Sequence, residues 1–183
     1  MGNSNIRNII INKSKVDSGG TKMSTFRKAH SEKSREHMIE LLNQQVTDLT
    51  DLFIQTKLAH WNVRGPQFIA YHEFFDDLAG ELPELIDTVA EQAATLGGSA
   101  GKPVQFIASE TRLPAWELQN TKDILVLEKL TERWAIVANN IREAVEVSAD
   151  EDPDTSDLFT EVSRKLDKSL WFLESHLTDG SSE

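Results

Sequence analysis

The sequence predicts an all-α protein built as a bundle of four long helices. Three observations predict it. Apolar residues recur at threes and fours along four separate stretches, no stretch alternates as a strand would, and about 22 residues separate the second stretch from the third. Short links make neighbouring helices antiparallel, whereas a link of that length carries the chain back along the bundle and sets helices two and three parallel.

The elements follow in order. Residues 1–30 read as a flexible basic tail rich in Ser, Asn and Gly. Residues 1–35 carry eight Lys or Arg (Arg7, Lys13, Lys15, Lys22, Arg27, Lys28, Lys33 and Arg35) against Asp17 and Glu32. That local charge of +6 leaves −17 on the rest of a chain whose total is −11. A basic arm on an acidic body is suited to meeting a polyanion, with simple solubilisation as the plain alternative. Ser31 is placed to cap the first helix, whose Met38, Leu42, Leu49, Leu52, Phe53 and Leu58 form its apolar face and which Gly65-Pro66 stops. The second helix runs from about Phe68 to Leu96 and ends at Gly97-Gly98. The third starts at an Asn120/Thr121 cap and continues through Ile124, Leu127, Leu130, Trp134, Val137, Ile141 and Val145. The fourth opens at Asp152-Pro153, with proline suited to the first turn, and continues through Leu158, Val162, Leu166, Leu170 and Leu173. Residues 31–177 therefore form the bundle, and 178–183 a short C-terminal tail.

Composition narrows the chemistry. The chain has 183 residues and no cysteine, which excludes disulfides, thiolate metal sites and a cysteine nucleophile. No apolar run approaches the roughly 20 residues that span a bilayer. The expected location is the cytoplasm, with no membrane partner. Any metal must be held by His, Asp and Glu.

The stretch Tyr71-His-Glu-Phe-Phe-Asp76 is one residue short of the zinc-peptidase pattern HExxH. The peptidase reading fails, because Asp76 stands where the second histidine is needed and Glu73 is turned about 100° away from His72. The wider helix is more informative. His72, Asp76, Asp87 and Glu91 fall at roughly 0°, 40°, 60° and 100° around the axis and share one face. Asp76 and Asp87 are nonetheless roughly 16 Å apart along the helix, too far to hold one ion. The four positions are symmetric about the junction of Glu81 and Leu82. A second copy of the helix, antiparallel across a two-fold axis there, brings His72 and Asp76 of one chain to Asp87 and Glu91 of the other. His60 lies as far before the Gly65-Pro66 turn as His72 lies after it, so the hairpin sets the two level. Two imidazoles and three carboxylates make a mixed N/O set suited to iron and able to accept zinc as a competitor. Chance placement of acids and a histidine on an exposed helix is the plain alternative, and it weakens as the matched positions accumulate.

The segments KLAHWNVRGPQFIAYHEFFDDLAG and LIDTVAEQAATLGG, followed by ERWAIVANNIREAV and SRKLDKSLWFLES, closely resemble the Dps family, the ferritin-like miniferritins named as DNA-binding proteins from starved cells. The resemblance covers roughly residues 31–177 and implies a ferritin-like bundle assembled into a hollow dodecamer. It implies His60, His72 and Asp76 from one subunit, with Asp87 and Glu91 from its neighbour, as catalytic iron ligands at the two-fold interface. It also implies oxidation of Fe²⁺ by hydrogen peroxide, storage of Fe³⁺, protection of DNA from oxidative damage, and a nucleoid-associated protein. Trp61 matches a tryptophan beside the first histidine and is a candidate sink for stray oxidising equivalents, with a packed aromatic as the alternative. Lys57 matches a lysine near the site and is a candidate ionic partner of Asp87 or Glu91. Asp150, Glu151, Asp152, Asp154 and Asp157 are candidates to line an iron inlet, although acids there also suit the start of a helix. Arg7, Lys13, Lys15, Lys22, Arg27 and Lys28 are candidate non-specific DNA contacts, directed at phosphate. A DNA-compacting protein with a secondary metal site is the competing reading. Ordinary ferritins use Glu-x-x-His pairs, and no histidine here has Glu three residues before it. Pro83, near the proposed two-fold centre, is expected to kink the second helix.

Overall fold

The computed structural model describes residues 31–119 and 121–178. The basic-tail candidates Arg7, Lys13, Lys15, Lys22, Arg27 and Lys28 lie outside the described residues. Among the described residues there are four long helices: α1 (Glu32–Asn62), α2 (Phe68–Thr95), α4 (Asp123–Ser148) and α5 (Pro153–Ser175). A short helix, α3 (Val104–Glu110), sits within the long connection. Periodicity missed α3 because a seven-residue helix that buries none of its side chains has no apolar stripe to detect. Among the described residues, no helix is long and apolar enough to cross a membrane.

The ends of the helices follow local chemistry. The Ser31 side chain accepts a hydrogen bond from Ser34 N at 3.1 Å, as an N-cap should. The start of α4 differs from expectation: Lys122 holds the cap position without a side-chain bond, and Asn120 lies outside the described residues. Its first free amides are met instead by Asp123, whose Oδ1 accepts from Ile124 N at 2.9 Å. Asp152 caps α5 in backbone position, while its carboxylate accepts from the Thr155 hydroxyl at 2.7 Å. α2 runs unbroken through Pro83, whose exposed ring removes one backbone bond without ending the helix.

Specific bonds fix the order of the bundle. Arg64 N donates to Thr121 O at 2.7 Å and Asp123 N to Arg64 O at 2.8 Å, a one-residue parallel bridge that ties the end of α1 to the start of α4. At the other end, Ser34 Oγ and His37 Nδ1 reach Glu151, between α4 and α5. Ser169 and Glu81 bond at 2.7 Å and Gln92 and Thr155 at 3.1 Å, which sets α5 antiparallel to α2. Helices α2 and α4 are therefore parallel, as the long connection predicts. Between the two hairpins the core closes over fully buried Trp134, Phe75 and Phe159, and Trp134 Nε1 donates to Thr56 Oγ1 at 3.2 Å.

One face of α1 is polar and buried, and it holds the crossover. Asn43 Nδ2 donates to Ser99 O and Asn43 Oδ1 accepts from Gly101 N. Asp48, fully buried, accepts from Arg112 N and Arg112 Nε. Asp51 accepts from the Thr111 hydroxyl, and Gln55 donates to Pro114 O. The link is thereby pinned through its backbone and through the side chains of Thr111 and Arg112, and each buried backbone polar group of such a segment needs a partner.

Candidate metal centre

The hairpin of α1 and α2 brings two histidines face to face. The rings of His60 and His72 stack with centroids 3.8 Å apart and planes 20° apart. His60 Nδ1 lies 2.7 Å from the carbonyl oxygen of His72, and His72 Nδ1 lies 2.9 Å from the carbonyl oxygen of His60. A carbonyl only accepts, so each Nδ1 is the protonated donor. In the neutral imidazole this leaves Nε2 with a free lone pair on both rings, the form in which histidine binds a metal. The exchange is reciprocal: each helix uses its histidine to grip the other's backbone. Phe68 covers His72 from α2, its centroid 5.0 Å from the imidazole.

Asp76 joins this pair one turn further along α2. Its Oδ1 lies 3.9 Å from His60 Nε2 and 2.5 Å from Lys57 Nζ. The Lys57 ammonium is thus the cationic partner of Asp76 in this chain. Its hydrogen bond is the main reason the Asp76 carboxyl is held below the usual carboxylate range, with His60 acting in the same direction. Within its own chain Lys57 pairs with Asp76; a pairing with Asp87 or Glu91 would need a second subunit. The symmetry that sets His60 level with His72 also sets Lys57 level with Phe75 and Asp76, a signal the sequence offered.

Asp87 and Glu91 are exposed further along α2 and have no hydrogen bond or ion pair among the described residues. Within the described residues of one chain, no three His, Asp or Glu side chains gather closely enough to hold an ion. The chain sets His60 against both His72 and Asp76 without closing the three into an ion site, and it leaves Asp87 and Glu91 apart, at roughly the 16 Å that eleven helical residues impose.

Trp61 is 61% exposed, so it is not a packed aromatic within its own chain; the Lys57 ammonium lies 5.7 Å from its ring centroid. Among the acids of the α4–α5 link, Asp150, Asp154 and Asp157 are exposed, whereas Asp152 is buried. Glu151 is turned to α1, where Ser34 and then His37 hold its carboxyl below the usual range.

Sequence reasoning missed how the α1–α2 turn is held. Gly65 has φ +149°, and a Cβ there would lie 2.3 Å from Asp123 Oδ2. Gln67, the residue before α2, has no side-chain cap of its own, and its N–H donates to Asp123 Oδ2 at 3.1 Å. Burial first, and the Asp123 carboxylate second, push the Tyr71 hydroxyl above its ordinary pKa. Nothing in the spacing of α4 marked Asp123 for this task; a glycine at the turn was the one hint of a close approach.

Three comparisons bear on this geometry. A family model described as the ferritin-like domain matches residues 39–182. The "DNA protection during starvation protein" of Agrobacterium fabrum is 44% identical over 149 residues, spanning 81% of this chain and 92% of that protein. Among solved structures, Mycobacterium smegmatis Dps in its tetragonal form superposes with a TM-score of 0.81 at 28% identity, covering 88% of this chain and 98% of that one. DpsA14 from Streptomyces coelicolor superposes with a TM-score of 0.80 at 30% identity, covering 85% and 93%.

Proposed function

Because the chain belongs to the Dps family of ferritin-like proteins, we propose that it oxidises Fe²⁺ with hydrogen peroxide and stores the Fe³⁺ inside a hollow dodecamer. The observation that carries this reading is the reciprocal lock between His60 and His72, which frees both Nε2 atoms, that of His60 3.9 Å from Asp76 Oδ1. Such a lock fixes tautomer and ring orientation before any cation arrives. The half-site is completed across a two-fold axis near Glu81 and Leu82 by Asp87 and Glu91 of the partner subunit. Their exposure and lack of partners within one chain support that role.

Iron is the substrate here. Two Fe²⁺ give up one electron each to one peroxide, which takes up two protons and leaves as two waters, so no hydroxyl radical is released. The chain's own groups bind and orient: the imidazoles contribute neutral donors, and the carboxylates offset the charge that grows on oxidation. Zinc competes for the same N/O set. Lys57 must leave Asp76 for a cation to enter. Asp150, Asp154 and Asp157 are the exposed acids that remain to line an inlet, since Glu151 and Asp152 are engaged within the subunit. Trp61 would take up oxidising equivalents that escape; its exposure next to His60 in the chain supports this.

Anaerobic loading with Fe²⁺ followed by peroxide tests the reading. Fast Fe³⁺ formation in the wild type, lost in His60→Ala/Asp87→Ala with assembly intact, is expected; equal and slow oxidation in both contradicts it. A second reading, a cytoplasmic nucleoid-compacting protein with a secondary metal site, rests on the charge of +6 in residues 1–35. Arg7, Lys13, Lys15, Lys22, Arg27 and Lys28 would contact phosphate without base specificity. Deleting residues 1–30 separates the two activities: oxidation persists and DNA retention is lost. The cut spares Ser31, the cap of α1.

A further inference from the structure

The iron site is assembled by the register between two helices, and that register is held from a third. We infer that Asp123 of α4 is a positioning residue for the His60–His72 pair, acting through the α1–α2 turn. The inference rests on the metal-centre reading above.

The start of α2 lacks a cap of its own. Its first turn contains no acidic residue, and the residue before it makes no side-chain cap. A helix in that state leaves amides unmet at its N-terminus, and its start is free to fray. Asp123 meets this need from outside the helix. Its Oδ2 accepts from Gln67 N at 3.1 Å while its Oδ1 accepts from Ile124 N at 2.9 Å. One buried carboxylate therefore closes the starts of both α2 and α4, which is why those two helix starts lie side by side.

The end of α1 is fixed to the same point. Asp123 N donates to Arg64 O at 2.8 Å, and Arg64 N donates to Thr121 O at 2.7 Å. Gly65 lies between Arg64 and Gln67, the two residues so held, with backbone so close to the carboxylate that no larger residue fits. Asp123 thus holds the residues just after α1 through its own backbone and the residue just before α2 through its side chain.

Register matters here because both bonds that orient the histidines run between the helices, from each ring to the other's backbone. His60 is two residues from the end of α1 and His72 is the fifth residue of α2. A slip or fraying at either end moves a ring and the carbonyl that holds its partner at the same time. Both Nε2 lone pairs then lose their set direction. A residue that touches neither imidazole can in this way decide whether both are poised.

The test uses the full-length protein, with Co²⁺ as the probe in calorimetry and ¹⁵N NMR of the imidazoles before metal is added. The variants are Asp123→Ala and the milder Asp123→Asn, which keeps one acceptor oxygen and serves where the alanine variant does not assemble. His60→Ala is the control. The expected result is Co²⁺ affinity about tenfold weaker than wild type at a temperature well below unfolding, the scale of an outer contact that orients ligands. The His60 and His72 Nδ1–H signals should also pass from one fixed tautomer to a mixture. Affinity within about twofold of wild type and unchanged tautomers, with only the melting temperature lowered, would show a merely structural role and overturn the inference. If His60→Ala binds Co²⁺ as the wild type does, the metal-centre reading itself is wrong and the inference goes with it.

Discussion

Replacing Asp48 by alanine should loosen the crossover without unfolding the bundle. Asp48 is fully buried and accepts from Arg112 N at 3.0 Å, Arg112 Nε at 2.7 Å and Gln44 Nε2 at 3.2 Å. Removing one partner of a buried ion pair costs about 3–5 kcal/mol when the other charge stays buried. The Arg112 side chain is 36% exposed and can turn its guanidinium to water, which lowers the expected cost to about 2–4 kcal/mol. The bonds to Arg112 join α1 to the crossover, so the loss falls on local opening of that segment. Trypsin reads this directly. Cleavage after Arg112 needs the crossover open, and its rate follows the open population. At tenfold per 1.4 kcal/mol, cleavage should rise roughly 30- to 700-fold. Asp48→Asn, which keeps the shape and loses the charge, should fall between the two. A rate within about threefold of wild type for Asp48→Ala would refute the reasoning.

Lys57→Met removes the ammonium from Asp76, and Co²⁺ affinity should rise about tenfold, the equivalent of one charge-assisted hydrogen bond. Unchanged affinity in calorimetry would mean that Lys57 does not compete for the site. Glu151 titrates below its ordinary 4.5 because Ser34 and His37 bond to it. As the folded value is the lower one, the link favours folding above 4.5 and that contribution disappears as the pH falls through the folded value. Carboxyl ¹³C NMR should show Glu151 moving up toward 4.5 in Ser34→Ala; no movement contradicts the pairing. After Fe²⁺ and peroxide, peptide mass spectrometry should find oxidation at Trp61, which is 61% exposed, and not at Trp134, which is buried. Equal oxidation of both counts against Trp61 as a sink.

The parts of the molecule legible in the sequence are those governed by repeating patterns. Leu42, Leu49, Leu127 and Leu166 all lie at helical spacing and all are fully buried, because one apolar face decides both properties. The level placement of His60 and His72 was legible too, since a tight hairpin equates distance from the turn with height along the bundle. Other features depended on contacts between distant residues and left no local pattern. Asn43, Asp48 and Gln55 look like exposed polar positions of α1 until the crossover lies over them. Asp123 reads as an ordinary first-turn acid, and only its distance to Gln67 and Gly65 gives it a task. The same level rule sets Lys57 beside Asp76, the partner it takes within its own chain.

The central claim is that each iron site draws on two chains, and complementation tests it most directly. His60→Ala and Asp87→Ala are each expected to lose fast peroxide-driven Fe²⁺ oxidation. Unfolded together in equal amounts and refolded into shared shells, they form mixed two-fold pairs in about half of cases. In each mixed pair one site receives both substitutions and the other receives neither. About a quarter of wild-type activity should therefore return. A co-assembled mixture as inactive as its two components would contradict the account, since sites formed within single chains stay broken however the chains are mixed.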